Sequence, residues 1–125
     1  MQRNTKQRAA MKAAIERAGR PLSPQEILEA TQEEIPGLGL ATVYRNVKAM
    51  VESRWLVAVE LPGVPDRYEI ADQGHHHHFH CRHCDRVFDV EGCPGNLDTL
   101  IPKDFSLETH EIVLYGRCAD CDADS

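Results

Sequence analysis

No stretch of this 125-residue chain approaches the roughly 20 consecutive apolar residues that a membrane-spanning helix needs. The opening Met1-Gln2-Arg3-Asn4-Thr5-Lys6 has no apolar signal core. These two absences set the cytoplasm as the expected compartment and leave no membrane partner. A surplus of positive charge is also missing. Fourteen Lys/Arg stand against 20 Asp/Glu, for a formal net charge of −6 at pH 7, which argues against a protein that coats nucleic acid indiscriminately. There is no low-complexity linker and no internal repeat at solenoid period. With 42% hydrophobic and 27% charged residues, the chain has the composition of one small domain or two very small ones.

The first part of the chain lacks both cysteine and histidine. All five cysteines and all seven histidines fall beyond residue 72. Charge breaks at the same place: residues 1–72 carry ten Lys/Arg and ten Asp/Glu, and residues 73–125 carry four and ten. The expected organisation is therefore two domains, 1–72 and 73–125, with the boundary near Asp72-Gln73-Gly74. In a reducing compartment, cysteines among histidines read as metal ligands rather than disulfides.

Thr5 to Ala18 places Ala10, Met11, Ala14, Ile15 and Ala18 at helical spacing, and Gly19-Arg20-Pro21 stops it. Ser23-Pro24-Gln25-Glu26 is a capping box with proline at the first helical position, opening a second helix through Ile27, Leu28 and Ala30. After Ile35-Pro36-Gly37-Leu38-Gly39, a third helix runs from Leu40 to about Ser53 with Val43, Val47, Met50 and Val51 on one stripe. Three short helices joined in this way predict a helix-turn-helix. Opposite the stripe stand Arg45, Lys48 and Glu52, flanked by Thr42 and Tyr44, residue types suited to reading base edges from the start of a recognition helix. Trp55 to Glu60 and Asp66 to Ile70 predict two strands around the turn Leu61-Pro62-Gly63-Val64-Pro65, a wing. Arg3, Lys6, Arg8 and Lys12, with no acid among residues 1–12, form a positive patch for phosphates. The same pattern also serves protein-interaction modules with a solvated basic face.

In the second part, Cys81-Arg82-His83-Cys84 and Cys118-Ala119-Asp120-Cys121 are two C-x-x-C pairs. Each pair lets one turn present two thiolates to the same ion, and two pairs complete a tetrahedral zinc shell. The βαβ context of a redox C-x-x-C is missing. A structural zinc would contribute on the order of 10 kcal/mol to the folding of a segment poor in apolar residues. The run His75-His76-His77-His78-Phe79-His80 reads as a strand rather than a tag, because it is internal and alternates. Neighbours on a strand face opposite ways, so His75 and His77 share one face and His76 and His78 the other. One strand could then feed two metal sites, completed from Glu69, Cys93 or His110. A surface histidine strip or a metal-scavenging tract is the plainer alternative. His80 and His83 are expected to be incidental, Tyr68, Phe79, Phe88 and Tyr115 to be core, and Asp120, Asp122 and Asp124 to form a solvated tail.

Enzyme motifs are absent. The H-x-E and P-C-x-x-C pair of zinc deaminases does not stand here, and His110-Glu111 lacks the second histidine of H-E-x-x-H. Four thiolates would leave no open position for a substrate water. The chain is expected not to be an enzyme.

Gly39-Leu40-Ala41-Thr42-Val43-Tyr44-Arg45, the histidine-rich strand running into C-x-x-C, and Leu114-Tyr115-Gly116-Arg117-Cys118 together resemble the ferric uptake regulator family, from about Thr5 to Cys121. The resemblance implies an α+β chain: an N-terminal winged helix followed by a small α/β, zinc-stabilised dimerisation domain. It implies a homodimeric, metal-sensing regulator, mostly a repressor, that binds operator DNA. Residue by residue, it makes Cys81, Cys84, Cys118 and Cys121 the structural zinc ligands. It makes Tyr44 and Arg45 recognition-helix contacts and Arg8 a basic contact from the first helix, and with Thr42 and Lys48 of the outer helix face these form the expected DNA-reading set. His76, His78 and Glu69 match a regulatory hinge site between the domains. The family's further histidine there has no match at Arg20-Pro21, leaving water, Asp66 or Glu60. His75, His77 and His110 match a site beside the dimerisation helix whose fourth ligand is usually glutamate. Closing the short segment between Cys84 and His110 puts Cys93 at that position.

A thiolate favours zinc, whereas carboxylates and imidazoles suit iron(II) and manganese(II). The expected function is thus a metal-dependent repressor of the zinc-sensing branch. Metal would fix the angle between two readers on a palindromic operator, and the −6 charge would be tolerable with the acidic domain facing away from the duplex. An iron- or peroxide-responsive regulator of the same family, and a metal-storage or chaperone protein, are the alternatives.

Overall fold

The computed structural model describes residues 2–123, and side chains from Thr5 onward; the side chain of Arg3 and the whole of Asp124 lie outside them. The chain divides into two compact units that meet between Gln73 and Gly74.

The first unit runs α1 (Gln2–Ala18), α2 (Pro24–Gln32), α3 (Leu40–Glu52), β1 (Leu56–Leu61) and β2 (Val64–Ile70). The first helix begins at Gln2 rather than Thr5. The capping box forms as expected: Ser23 Oγ accepts the Glu26 N–H at 3.1 Å, and Glu26 Oε1 accepts the Ser23 N–H at 3.0 Å. This satisfies two orphan donors at the start of α2, an arrangement whose loss costs about 1 kcal/mol. The helix α3 ends where Arg54 takes φ 67° and lets the Trp55 N–H reach back to the Met50 carbonyl at 2.9 Å. The predicted stripe of α3 is buried through Val43, Val47 and Met50, which pack with Met11, Ile15, Leu22, Ile27, Leu28, Leu38 and Leu56. Burial of each such side chain contributes about 1.5–3 kcal/mol. The wing strands pair antiparallel, with a bulge between Val59 and Leu61. Leu22 and Tyr68 exchange backbone hydrogen bonds of 2.9 and 2.8 Å, anchoring β2 to the segment before α2.

The second unit holds a three-stranded sheet in the order β4 (Val87–Val90), β3 (His77–Cys81), β5 (Val113–Gly116). Strand β3 runs antiparallel to β4 and parallel to β5. It begins only at His77, so His75 and His76 precede the strand instead of belonging to it. Between β4 and β5 the described residues form one 3-10 turn, Leu97–Leu100, and not the dimerisation helix that the resemblance implies. Gly92, Pro94, Gly95 and Pro102 in this stretch disfavour a continuous helix. Asp120 and Asp122 are exposed, as expected of a solvated tail, and lie in a five-residue helix, α4 (Ala119–Ala123). Tyr115, expected in the core, is 41% exposed, because β5 is an edge strand of this unit.

Candidate metal centres and DNA-reading face

The four cysteines converge from two turns. The first C-x-x-C follows β3, and Asp85 at φ 66° bends the chain so that the Asp85 N–H meets the Cys81 carbonyl at 3.0 Å while the Cys81 N–H meets the Arg86 carbonyl at 3.0 Å. His80, which no metal set includes, holds this turn through Nε2 at 2.6 Å from Asp85 Oδ1. The second C-x-x-C follows β5, which registers Gly116 against Cys81. A Cβ at Gly116 would lie 3.1 Å from the Phe79 ring, so glycine lets the ring pack closely over this strand. The Cys81–Cys121 and Cys84–Cys118 sulfurs are each 3.7 Å apart, and all four sulfurs lie within 4.8 Å of one another. Tetrahedral zinc with bonds of about 2.3 Å separates its sulfurs by about 3.8 Å, so the spacing fits zinc and excludes disulfides. Burial raises the Cys81 thiol, but backbone N–H groups of Cys84, Cys118 and His83 outweigh it and bring the group down to about 5. Burial and the neighbouring sulfurs push Cys121 up to about 12.

His75, His77, Cys93 and His110 form a second group with ligand atoms within 4.8 Å. His75 Nε2 and Cys93 Sγ each lie 3.1 Å from His110 Nε2. The Ile112 N–H donates to His77 Nδ1 at 3.3 Å, and His77 Nε2 is buried with no hydrogen-bond partner. With Nδ1 accepting, Nε2 carries the ring proton, and a buried donor without a partner is costly. Burial, then the rings of His75 and His110, lower the basicity of His77 and favour the neutral imidazole.

His76 and His78 meet edge to face, 4.9 Å between ring centroids, as i, i+2 alternation anticipates. The carboxylate beside them is Asp89, whose Oδ1 lies 3.2 Å from His76 Nε2 and 3.5 Å from His78 Nε2. Asp89 thus stands where the sequence alone leaves water, Asp66 or Glu60 as the expected partner. Its signal is the antiparallel register that sets His78 opposite Asp89, which spacing along the chain does not reveal. Glu69, the remaining member of the expected set, lies on β2 opposite Val57 in the first unit.

On α3, Tyr44, Arg45 and Lys48 are exposed and Thr42 half-buried. Arg45 Nη2 donates to Thr42 Oγ1 at 3.1 Å. Arg8 on α1 joins this face by donating from Nε to Asn46 Oδ1 at 2.9 Å. Arg8 and Lys12 line a shallow groove of about 320 Å³ with Thr5 and Ala9, an arrangement suited to phosphate oxygens. Asn46, which the sequence reading did not single out, is buried and also donates to the Thr42 carbonyl at 2.9 Å.

A family profile described as "Ferric uptake regulator family" matches residues 2–115. Among curated proteins, a ferric uptake regulation protein of Campylobacter jejuni is 29% identical over 94% of this chain and 78% of its own length. Among solved structures, the Helicobacter pylori ferric uptake regulator, reported with three functional metal binding sites, superposes with a TM-score of 0.70 at 26% identity, covering 94% of this chain and 80% of the other. FurB of M. tuberculosis, described as a zinc uptake regulator, is 28% identical over 95% of each chain with a TM-score of 0.53. No helix among the described residues is long and apolar enough to cross a membrane.

Proposed function

The chain belongs to the ferric uptake regulator family, and from that premise we propose that it is a zinc-responsive repressor whose dimer binds palindromic operators. It is a metal-responsive, DNA-binding transcriptional regulator and not an enzyme; the family's regulators act as dimers. The observation that carries the choice of zinc is the meeting of Cys93 Sγ with His110 Nε2 at 3.1 Å, beside His75 and His77. Three imidazole nitrogens and one thiolate suit zinc better than iron(II) or manganese(II). The likeness to a zinc uptake regulator supports the same reading.

We assign Cys81, Cys84, Cys118 and Cys121 to a structural zinc, and His75, His77, Cys93 and His110 to a sensed one. His76, His78 and Asp89 form a third, regulatory set, in which Glu69 is kept as a donor on the strength of the sequence resemblance alone. Zinc, when bound, supplies a fixed tetrahedral centre without redox chemistry. The cysteines hold the second unit together whatever the signal. The imidazoles take up or release the sensed metal, and metal and DNA binding are coupled reciprocally. Thr42, Tyr44, Arg45 and Lys48 read base edges, while Arg8 holds phosphate.

The test is a gel-shift titration on a duplex selected from a random-sequence pool in the presence of zinc. Zinc at submicromolar free concentration should promote the shift and a chelator should abolish it, with iron(II) and manganese(II) less effective. Arg45→Ala should abolish the shift while leaving metal content unchanged. Equal DNA affinity with and without metal would reject the reading.

A further inference from the structure

Arg86 belongs to none of the ligand sets, yet it is built into the four-cysteine centre. Its Nε donates to Cys84 Sγ at 3.0 Å, Nη2 reaches Cys118 Sγ at 3.7 Å, and Nη1 donates to Asp120 Oδ2 at 3.2 Å. The guanidinium carbon lies 5.8 Å from the centroid of the Phe88 ring. One planar fork thus touches a sulfur from each C-x-x-C pair and a carboxylate inside the second.

Four thiolates around a divalent ion leave a net charge of −2, and Cys81 and Cys118 are buried, where solvent does little to spread that charge. Backbone donors answer part of it, the Cys118 N–H reaching Cys81 Sγ at 3.3 Å. Arg86 is the side-chain cation hydrogen-bonded to the sulfurs among the described residues. A guanidinium stays charged at any working pH and presents several donors in a fixed plane; an ammonium is a point charge and cannot span the same atoms. Donors to a thiolate draw on its lone pairs, so the sulfur attacks electrophiles more slowly and holds its place around the ion.

We propose that Arg86 is a positioning residue of the four-cysteine centre: its guanidinium offsets thiolate charge and straps the two C-x-x-C turns together. The centre then resists thiol-directed attack and stays a permanent scaffold, distinct from the sensing sites. The proposal rests on the four-cysteine zinc reading above.

The test uses the full-length protein dialysed against a mild chelator, so that only the four-cysteine zinc remains, then challenged with iodoacetamide, with released zinc read by a chromogenic indicator. Each sulfur that forms a bond to carbon expels iodide and stops ligating. Arg86→Ala should release zinc at least about tenfold faster than the parent chain, as loss of an outer-shell partner does. Arg86→Lys should fall between the two. Asp120→Asn, which removes the ion pair and keeps the bonds to sulfur, should stay within about threefold of the parent. In cobalt-substituted protein, the sulfur-to-cobalt charge-transfer band should move to lower energy in Arg86→Ala and stay put in Asp120→Asn. A parent chain without a chelator-resistant zinc would overturn the four-cysteine reading and this proposal with it. A zinc-loaded parent whose release rate and band are shared by Arg86→Ala would overturn only the proposal, and should that variant not fold, the same result in Arg86→Lys would do so.

Discussion

Cys93 Sγ stands 3.1 Å from His110 Nε2, although the two are 17 positions apart along chain that is irregular but for a single 3-10 turn. A cysteine sulfur delivered to three imidazoles by a loop makes a compact soft-and-borderline donor set. Cys93→Ser should lose one zinc per chain and keep the zinc of the four cysteines. Cys93→Glu should weaken zinc binding at this site at least about tenfold and shift its preference toward iron(II) or manganese(II). Metal analysis after dialysis against a mild chelator measures both. Unchanged zinc content in Cys93→Ser would remove Cys93 from the ligand set.

Acid should act on the same site. In the folded chain the basicity of His77 is lowered by burial and by the neighbouring rings, from an ordinary value of 6.5. Below pH 6.5 the unfolded chain therefore binds more protons at this residue than the folded one. The stability of protein that keeps only its four-cysteine zinc should fall as pH drops through 6.5 toward the lower folded value, and His77→Gln should fall less steeply. Melting temperatures of chelated protein between pH 7.5 and 5.5 show the difference; parallel curves would contradict it.

Asp89 should set the metal threshold of the His76/His78 site. Asp89→Ala should raise the zinc concentration needed for half-maximal DNA binding by about tenfold or more, with DNA affinity at saturating zinc little changed. A threshold equal to the parent's would show that Asp89 is not a ligand.

Asn46 should matter for DNA without touching metal. Its side chain ties Arg8 of α1 to the recognition helix, with bonds of 2.9 Å to Arg8 and 2.9 Å to the Thr42 carbonyl. Asn46→Ala frees the guanidinium, and affinity for operator should fall about fivefold, the worth of roughly 1 kcal/mol. Arg8→Ala should weaken binding to all sequences alike and lower the salt slope by about one. Fluorescence anisotropy at several salt concentrations checks both, and a parent-like Asn46→Ala would show that Arg8 orients itself.

Local chemistry made much of this chain legible. The capping box at Ser23, the stripe of α3 and the two C-x-x-C turns depend on neighbours within a few residues, and each is present at the expected position. The pairing of His75 with His77 and of His76 with His78 was also anticipated, even though the strand begins only at His77. Asp89 escaped notice because its relation to His78 is a cross-strand register. Arg86 and Asn46 escaped for a similar reason: the partners that give them meaning lie 32 and 38 residues away. Tyr115 was misplaced in the core because an aromatic in a strand pattern does not say whether that strand is an edge.

The sequence by itself determined the donor types: sulfurs in two tight turns, imidazoles in an alternating run, cations opposite an apolar helical stripe. Those properties need only covalent spacing and the periods of helix and strand. Tertiary structure decided which donor atoms come within reach of one another, which carboxylate stands beside His76 and His78, and which arginine faces the sulfurs. Such choices depend on strand register and on the path of the loop that returns to β5, and these are settled by long-range packing.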